Sequence, residues 1–247
     1  MSKQILITGA LESGIGEAVT SRMLSEGFHV VGTYEPKLSG VAVEKEVNPK
    51  LELIEVDHSC ESSIDYLVGK LSGREFSGMI NAQMFFNMEC LSDFDHELWS
   101  KSVFVNMTMP NMLVRKLGSN LKEGSSVVFI TSTEAYMGSF GASAYASSKA
   151  AVHNLVKTYA NNFGDKKIRF NAVAAGWIGG VMDTDEIFEM SRNITPLGRL
   201  GDPSEISSVV NFLISDESSF VNASVVTADG GYSGVDTIAK FEYESEL

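Results

Sequence analysis

Gln4-Ile5-Leu6-Ile7-Thr8-Gly9-Ala10-Leu11-Glu12-Ser13-Gly14-Ile15-Gly16 stands near the start of the chain. Gln4 to Thr8 is a short apolar run that stops at a glycine, as a strand buried on both faces does. From Gly14 to Glu26 the apolar residues Ile15, Ala18, Val19, Met23 and Leu24 recur at helical spacing. Glycines between strand and helix let the backbone turn sharply and approach a pyrophosphate, which then rests on the helix N-terminus. A plain strand-to-helix turn also favours glycine, so the loop alone is a weak signal.

The alternation continues downstream. Strands are expected at 28–33, 51–56 (ending at Asp57), 77–81, 127–131, 168–173 and 224–227. Ile64, Leu67, Val68 and Leu71 repeat at helical spacing, and Trp99, Val103, Val105 and Leu113 suggest a long helix. Another helix is expected over 143–163. A further one over 203–214 has Asp202 as N-cap and Pro203 in its first turn. Strands alternating with helices imply parallel βαβ units, hence an α/β protein with a doubly wound parallel sheet in three α/β/α layers. With 247 residues, 5 prolines and no linker-like stretch, a single domain over 1–247 is expected.

The net charge of −13 would repel nucleic acid and anionic membrane surfaces, so neither is an expected partner. Cys60 and Cys90 lack metal-ligand spacing, and His29, His58, His96 and His153 are scattered, so no metal is expected. Few cysteines and no leader-like or membrane-length apolar run suit the cytoplasm.

At the end of the second strand the chain reads Thr33-Tyr34-Glu35-Pro36-Lys37. An acid there suits the ribose hydroxyls of NAD, whereas a basic group suits the 2′-phosphate of NADP. Glu35 is either that ribose contact or a solvated turn residue. The glycine loop holds Glu12 and no base, which favours NAD, while Lys37 keeps NADP in play.

Tyr145-Ala-Ser-Ser-Lys149 puts a phenol and an ammonium on one helix face. A nearby cation lowers a phenol's pKa toward the working range of an acid/base. Tyr66-Leu-Val-Gly-Lys70 has the same spacing, but context separates the two. Thirteen residues before Tyr145 lies Ser132, at a strand end, whereas the same offset from Tyr66 is Leu53.

With these residues the chain resembles the short-chain dehydrogenase/reductase family over nearly its whole length. The resemblance implies a Rossmann fold and an NAD(P)-dependent enzyme that moves a hydride between nicotinamide and a secondary alcohol or ketone. It carries the catalytic roles onto Ser132, Tyr145 and Lys149, with Asn106 ordering a water in a proton relay. It implies cofactor contacts from Gly9, Leu11, Ser13, Gly14, Ile15, Gly16, Tyr34, Glu35, Asp57, His58, Asn81, Ala82, Gln83, Tyr145, Lys149, Gly176 and Ile178. Pro196-Leu-Gly-Arg199-Leu-Gly-Asp-Pro203 and Ala228-Asp-Gly-Gly231 match the family's C-terminal signatures.

Some positions depart from the family. Four residues rather than three separate Gly9 and Gly14, Gln83 replaces a glycine, Ala175 a proline, and Gly180 a threonine. Gln83 would put a long amide near the nicotinamide ribose or the substrate.

Around the implied pocket stand Met84, Phe85, Phe86, Met88, Tyr136, Met137, Trp177, Met182, Phe188 and Met190, which suit a substrate with an apolar body or serve only as packing. Residues 178–195 would form a lid, acidic through Asp183, Asp185, Glu186 and Glu189, which argues against anionic substrates. Glu134 either hydrogen-bonds a substrate hydroxyl or is a surface acid. The acidic tail at 234–247 is disordered or packs on a neighbour, in an expected tetramer or dimer. The alternatives are a 3-oxoacyl carrier-protein reductase, with Arg115, Lys116 and Arg169 as its basic patch, and a non-catalytic dinucleotide sensor.

Overall fold

The computed structural model describes residues 3–35, 48–180 and 184–245. In chain order its elements are β1 (Gln4–Thr8), α1 (Ser13–Ser25), β2 (His29–Tyr34), β3 (Leu51–Glu55), α2 (Glu61–Lys70), β4 (Phe76–Asn81), α3 (His96–Val103), α4 (Met109–Leu117), β5 (Leu121–Ser132), α5 (Ser143–Asn162), β6 (Arg169–Ala175), α6 (Asp185–Ile194), α7 (Pro203–Ile214), β7 (Val225–Ala228) and α8 (Thr237–Ser245).

The strands form one seven-stranded sheet in the order β3-β2-β1-β4-β5-β6-β7. Every pairing is parallel. Alternate side chains of each strand feed opposite faces, as the two-residue strand period requires. Ile5, Ile7, Val128 and Ile130 pack with Val19, Met23, Val210 and Leu213 of α1 and α7. Leu6, Val127 and Phe129 pack with Ile64, Leu113, Val152 and Val156 of α2, α4 and α5. The strand order reverses between β1 and β4. In such sheets the crevice at that switch, beyond the strands' carboxyl ends, is where ligands bind.

Several boundaries differ from the sequence reading. β5 begins at Leu121 rather than 127, because polar Lys122-Glu-Gly-Ser125 and a register shift between Phe76 and Gly78 hide its period. The expected long helix is interrupted by a π-turn at Phe104–Thr108 between α3 and α4. Pro110 lacks the N–H that would bond the carbonyl of Asn106 one helical turn earlier, which accounts for the interruption there. The lid range contains a helix, α6, capped by Thr184. The tail is largely helical too: α8 places Lys240 Nζ 2.5 Å from the carbonyl of Asn193 at the end of α6.

Two glycines fix the first turn. Gly9 has φ of 70°, and a Cβ on it would lie 2.6 Å from the backbone nitrogen of Gln83. A Cβ on Gly16 would lie 2.0 Å from the carbonyl oxygen of Gly9, so α1 sits directly on the loop. Gly16→Ala should therefore displace the loop and cost about 2 kcal/mol, a fall in Tm of ~5 °C. Calorimetric melting checks this, and an unchanged Tm would show that the contact is looser than described.

Candidate active site

Ser132 ends β5 at the carboxyl edge of the sheet, and its Oγ accepts a hydrogen bond from the Glu134 N–H at 3.2 Å. Tyr145 lies in the first turn of α5 and Lys149 one turn further on, both buried. The Ser132 hydroxyl stands near enough to the Tyr145 hydroxyl to lower its pKa. Lys149 donates to the carbonyl of Ile130 at 3.1 Å, and its Nζ lies 5.6 Å from the centroid of the Tyr145 ring. Phe86 meets that ring edge-on at 5.2 Å. All three sequence-predicted groups thus meet at one point. Tyr66, with the same spacing to Lys70, lies on the surface with 54% exposure.

The electrostatics differ from the expectation. Burial drives the Tyr145 phenol above its ordinary value of 10.0; the Ser132 hydroxyl lowers it, and the negative charge of Glu134 raises it further. Burial pulls Lys149 down from 10.5 to about 8. Burial decides the direction of the phenol's shift, and the ammonium is bonded to the Ile130 carbonyl. At neutral pH the tyrosine holds its proton.

Asn106 occupies the π-turn, and its side chain is fully used in holding the loop after β4. Its Nδ2 donates to the Phe85 carbonyl at 2.8 Å and to Ser102 Oγ at 3.2 Å, and its Oδ1 accepts from the Phe85 N–H at 3.0 Å. Glu89 fastens the other end of that loop. Its carboxylate accepts from the Ser143 N–H at 3.0 Å, the Ser143 hydroxyl at 2.5 Å and the Ala144 N–H at 2.7 Å. α5 has no side-chain cap of its own at Ala142, so Glu89 satisfies the orphan N–H groups of the tyrosine-bearing helix. Burial raises the Glu89 carboxyl, but the Ser143 hydroxyl and the two N–H groups outweigh it and hold the acid below 4.5. Nothing in the local sequence signals this pairing across 54 residues.

The glycine loop leads into the same crevice. Ser13, Gly14, Ile15, Ala82, Gly176 and Ile178 line a cavity of about 380 Å³ together with Ser132, Tyr145 and Lys149. Leu11 and Tyr34 are half-buried and are not part of its wall. Gly176 packs against Asp229, where a Cβ would lie 2.5 Å from the aspartate Cβ. Ser13 takes φ of 55°, so the extra residue of the loop is accommodated in a left-handed turn. Both side-chain polar atoms of Asn81 are buried without a hydrogen-bond partner among the described residues. A backbone cradle ahead of a helix N-terminus, with an orphaned amide behind it, fits a pyrophosphate-bearing dinucleotide.

Two expected cofactor contacts turn inward instead. Gln83 is bonded to the Thr8 hydroxyl and donates to the Val105 carbonyl at 3.3 Å, so its amide serves the interior rather than the nicotinamide ribose. His58 is 1% exposed, with Nε2 2.8 Å from Thr33 Oγ1. Its Nδ1 lies 3.0 Å from Glu12 Oε1, close enough for ion pairing but off line for a hydrogen bond. Glu12, also buried, accepts from the Glu35 N–H at 2.9 Å. Glu35 is half-buried; burial raises its carboxyl, and the charges of Asp57 and Glu12 raise it further. Asp57 is exposed and held low mainly by Ser59. Pro36 and Lys37 lie outside the described residues.

Beyond Tyr145 the cavity wall is apolar: Met84, Phe86, Met88, Met137 and Trp177, as expected, joined by Phe140, Ile187 and Leu200. Phe85 instead lies under Lys101 at 4.6 Å, and Tyr136 packs on His153 at 4.9 Å. Phe188 and Met190 are exposed on α6, and Met182 and Asp183 lie outside the described residues.

Residues 9–233 match the profile of the family described as enoyl-(acyl carrier protein) reductase. A 3-oxoacyl-[acyl-carrier-protein] reductase from Thermotoga maritima is 32% identical, covering 93% of this chain and 97% of its own. This chain is a short-chain dehydrogenase/reductase. A short-chain dehydrogenase family protein from Francisella tularensis superposes with a TM-score of 0.85 at 25% identity, covering 95% of this chain and 100% of its own. A 4-hydroxyisoleucine dehydrogenase in complex with NADH does so with a TM-score of 0.87 at 26% identity and the same coverage. The protein is therefore an NAD(P)-dependent oxidoreductase acting on carbinol or keto carbons of small molecules. Among the described residues no helix is long and apolar enough to cross a membrane, and no His/Cys/Asp/Glu group is arranged to hold a metal.

The C-terminal signatures of this short-chain dehydrogenase/reductase are structural. Arg199 binds both oxygens of Glu205 at 2.7 and 2.8 Å, and Glu205 completes the capping box of α7 with Asp202. Asp229 folds the following turn by accepting from Gly231 and Ser233.

Glu89→Ala removes the clasp on the tyrosine-bearing helix. It should lower stability by about 1 kcal/mol and kcat by roughly tenfold, with a smaller change in KM. Steady-state kinetics beside thermal melting check this; a lower Tm with kcat within about twofold of the parent would reduce Glu89 to a plain cap.

Proposed function

We propose that the enzyme interconverts a secondary alcohol and a ketone with an apolar body, using Ser132 and Tyr145 on the reacting oxygen. The observation that carries this reading is the meeting of Ser132, Tyr145 and Lys149 in the wall of one largely apolar cavity. When bound, the nicotinamide supplies or accepts the hydride. Gly9, Ser13, Gly14, Ile15, Gly16, Asn81 and Ala82 would hold the cofactor, with Gly176 and Ile178 on its far side. Ser132 donates a hydrogen bond to the substrate carbonyl, and Tyr145 gives its proton to that oxygen as negative charge develops there. The protonated resting tyrosine suits the reductive direction. Lys149, held at about 8, can return a proton near neutral pH, and the Asn106 carbonyl, denied its helical partner by Pro110, would hold a water that continues the relay.

NAD is the preferred cofactor in this reading. Glu12, Glu35 and Asp57 cluster closely enough to raise the Glu35 carboxyl, and a 2′-phosphate placed among them would be repelled. The protein would act as one domain, with α6 as lid, in a cytoplasmic dimer or tetramer. The Thermotoga relative favours the second reading, a 3-oxoacyl carrier-protein reductase. Its expected basic patch counts against it: Arg169 is buried on Ser215, Ser218 and Val221, and Lys116 is paired with Asp65. A non-catalytic sensor would have no need of Ser132, Tyr145 and Lys149 gathered in one cavity wall.

A panel of secondary alcohols and ketones, run with NAD and NADP in parallel and followed by reduced-nicotinamide absorbance, tests the reading. NAD should be favoured in kcat/KM by about tenfold or more, one unscreened charge repulsion. Tyr145→Phe should abolish turnover while cofactor binding, measured calorimetrically, persists. Undiminished turnover by that variant would refute the mechanism.

A further inference from the structure

Glu134 occupies the short turn that follows Ser132, and its backbone N–H donates to the Ser132 hydroxyl. Glu134 is part of the wall of the cavity that also holds Tyr145. The nearby Ser139 hydroxyl lowers its carboxyl, but burial outweighs it and raises the acid above its ordinary value. Its Oε2 is buried and has no hydrogen-bond partner among the described residues. Leaving a carboxylate oxygen dry and unpaired is costly, and such groups cluster where a ligand completes them. No hydroxyl or N–H of the lining is hydrogen-bonded to that oxygen. Met84, Phe86 and Met137 of the wall have no donor, and the other charged residue of the lining, Lys149, donates to Ile130. The Glu134 charge reaches Tyr145, which places this acceptor within electrostatic range of the reacting oxygen.

We infer that Glu134 is a specificity subsite for a hydrogen-bond donor, a hydroxyl or an ammonium, carried by the substrate close to its reacting carbon. The substrate class is then an apolar hydroxy- or amino-substituted ketone or the corresponding alcohol, rather than a plain hydrocarbon ketone or an anion. The inference rests on the proposed use of this cavity for a ketone, and it makes a separate demand on it. Anions are disfavoured because the carboxylate faces them across a low-dielectric space.

The test uses ketones matched in carbon skeleton: one plain, one with a hydroxyl and one with an ammonium on the carbon beside the carbonyl. The wild-type enzyme should favour a donor-bearing ketone over the plain one by about tenfold or more in kcat/KM. Glu134→Leu should bring that ratio to about one. The near-isosteric Glu134→Gln, which keeps an acceptor oxygen but not the charge, should keep the hydroxyl preference and weaken the ammonium preference. Binding of the matching alcohols to the Tyr145→Phe variant, with and without Glu134→Leu, gives the same ratio without turnover. A donor preference unaffected by Glu134→Leu, or no preference in the wild-type enzyme, overturns the subsite. Turnover by Tyr145→Phe would instead overturn the catalytic reading and leave the binding ratios to judge Glu134.

Discussion

Burial of a phenol and an ammonium one helical turn apart is the constraint on which this molecule is organised. Neither group tolerates a dry environment without partners, and each is given one: the Ser132 hydroxyl for Tyr145 and the Ile130 carbonyl for Lys149. Both partners come from the last residues of β5, so the end of a central strand and the start of α5 must hold a fixed relation. Val152 and Val156 of α5 pack on Val127 and Phe129 of the same strand and provide it. The result is a tyrosine that keeps its proton and a lysine that titrates near neutral pH.

Much of this was legible in the chain. The strand–helix alternation yielded the parallel sheet because each strand's apolar run is bounded by turn residues, and α7 emerged with its Asp202 cap and Pro203 at the stated boundaries. The Ser132, Tyr145 and Lys149 set was legible because fixed spacing on a helix and a strand end leaves little freedom. The direction of the phenol's shift was not. Spacing brings a cation near, but whether it faces the hydroxyl or a carbonyl depends on packing. α6 and α8 were read as lid and tail because their charged residues, such as Glu189 and Glu242, mask the helical period. Glu89 left no trace, since a cap supplied from 54 residues away has no local pattern.

The departures from the family pattern are compensated inside the structure. Gln83, standing where the family has a glycine, is drawn inward to Thr8 and Val105, and so ties β1 to the turn that holds Asn106. The extra residue of the phosphate-facing loop is absorbed by the left-handed Ser13 and by Glu12, which folds under the loop to His58 and Glu35. The wall between Phe85 and Glu89 is fastened at both ends, by Asn106 and by the start of α5. Substrate selection and catalytic geometry are thus mechanically joined.

The state of the Tyr145 proton tests this account most directly. An ultraviolet difference titration of the wild-type enzyme minus Tyr145→Phe isolates that phenol from the other tyrosines, and folding is followed in parallel. No phenolate from Tyr145 should appear until the pH exceeds the ordinary tyrosine value of 10.0, or until the protein unfolds. A phenolate with a midpoint well below that value in the folded, cofactor-free enzyme would contradict the description of this site.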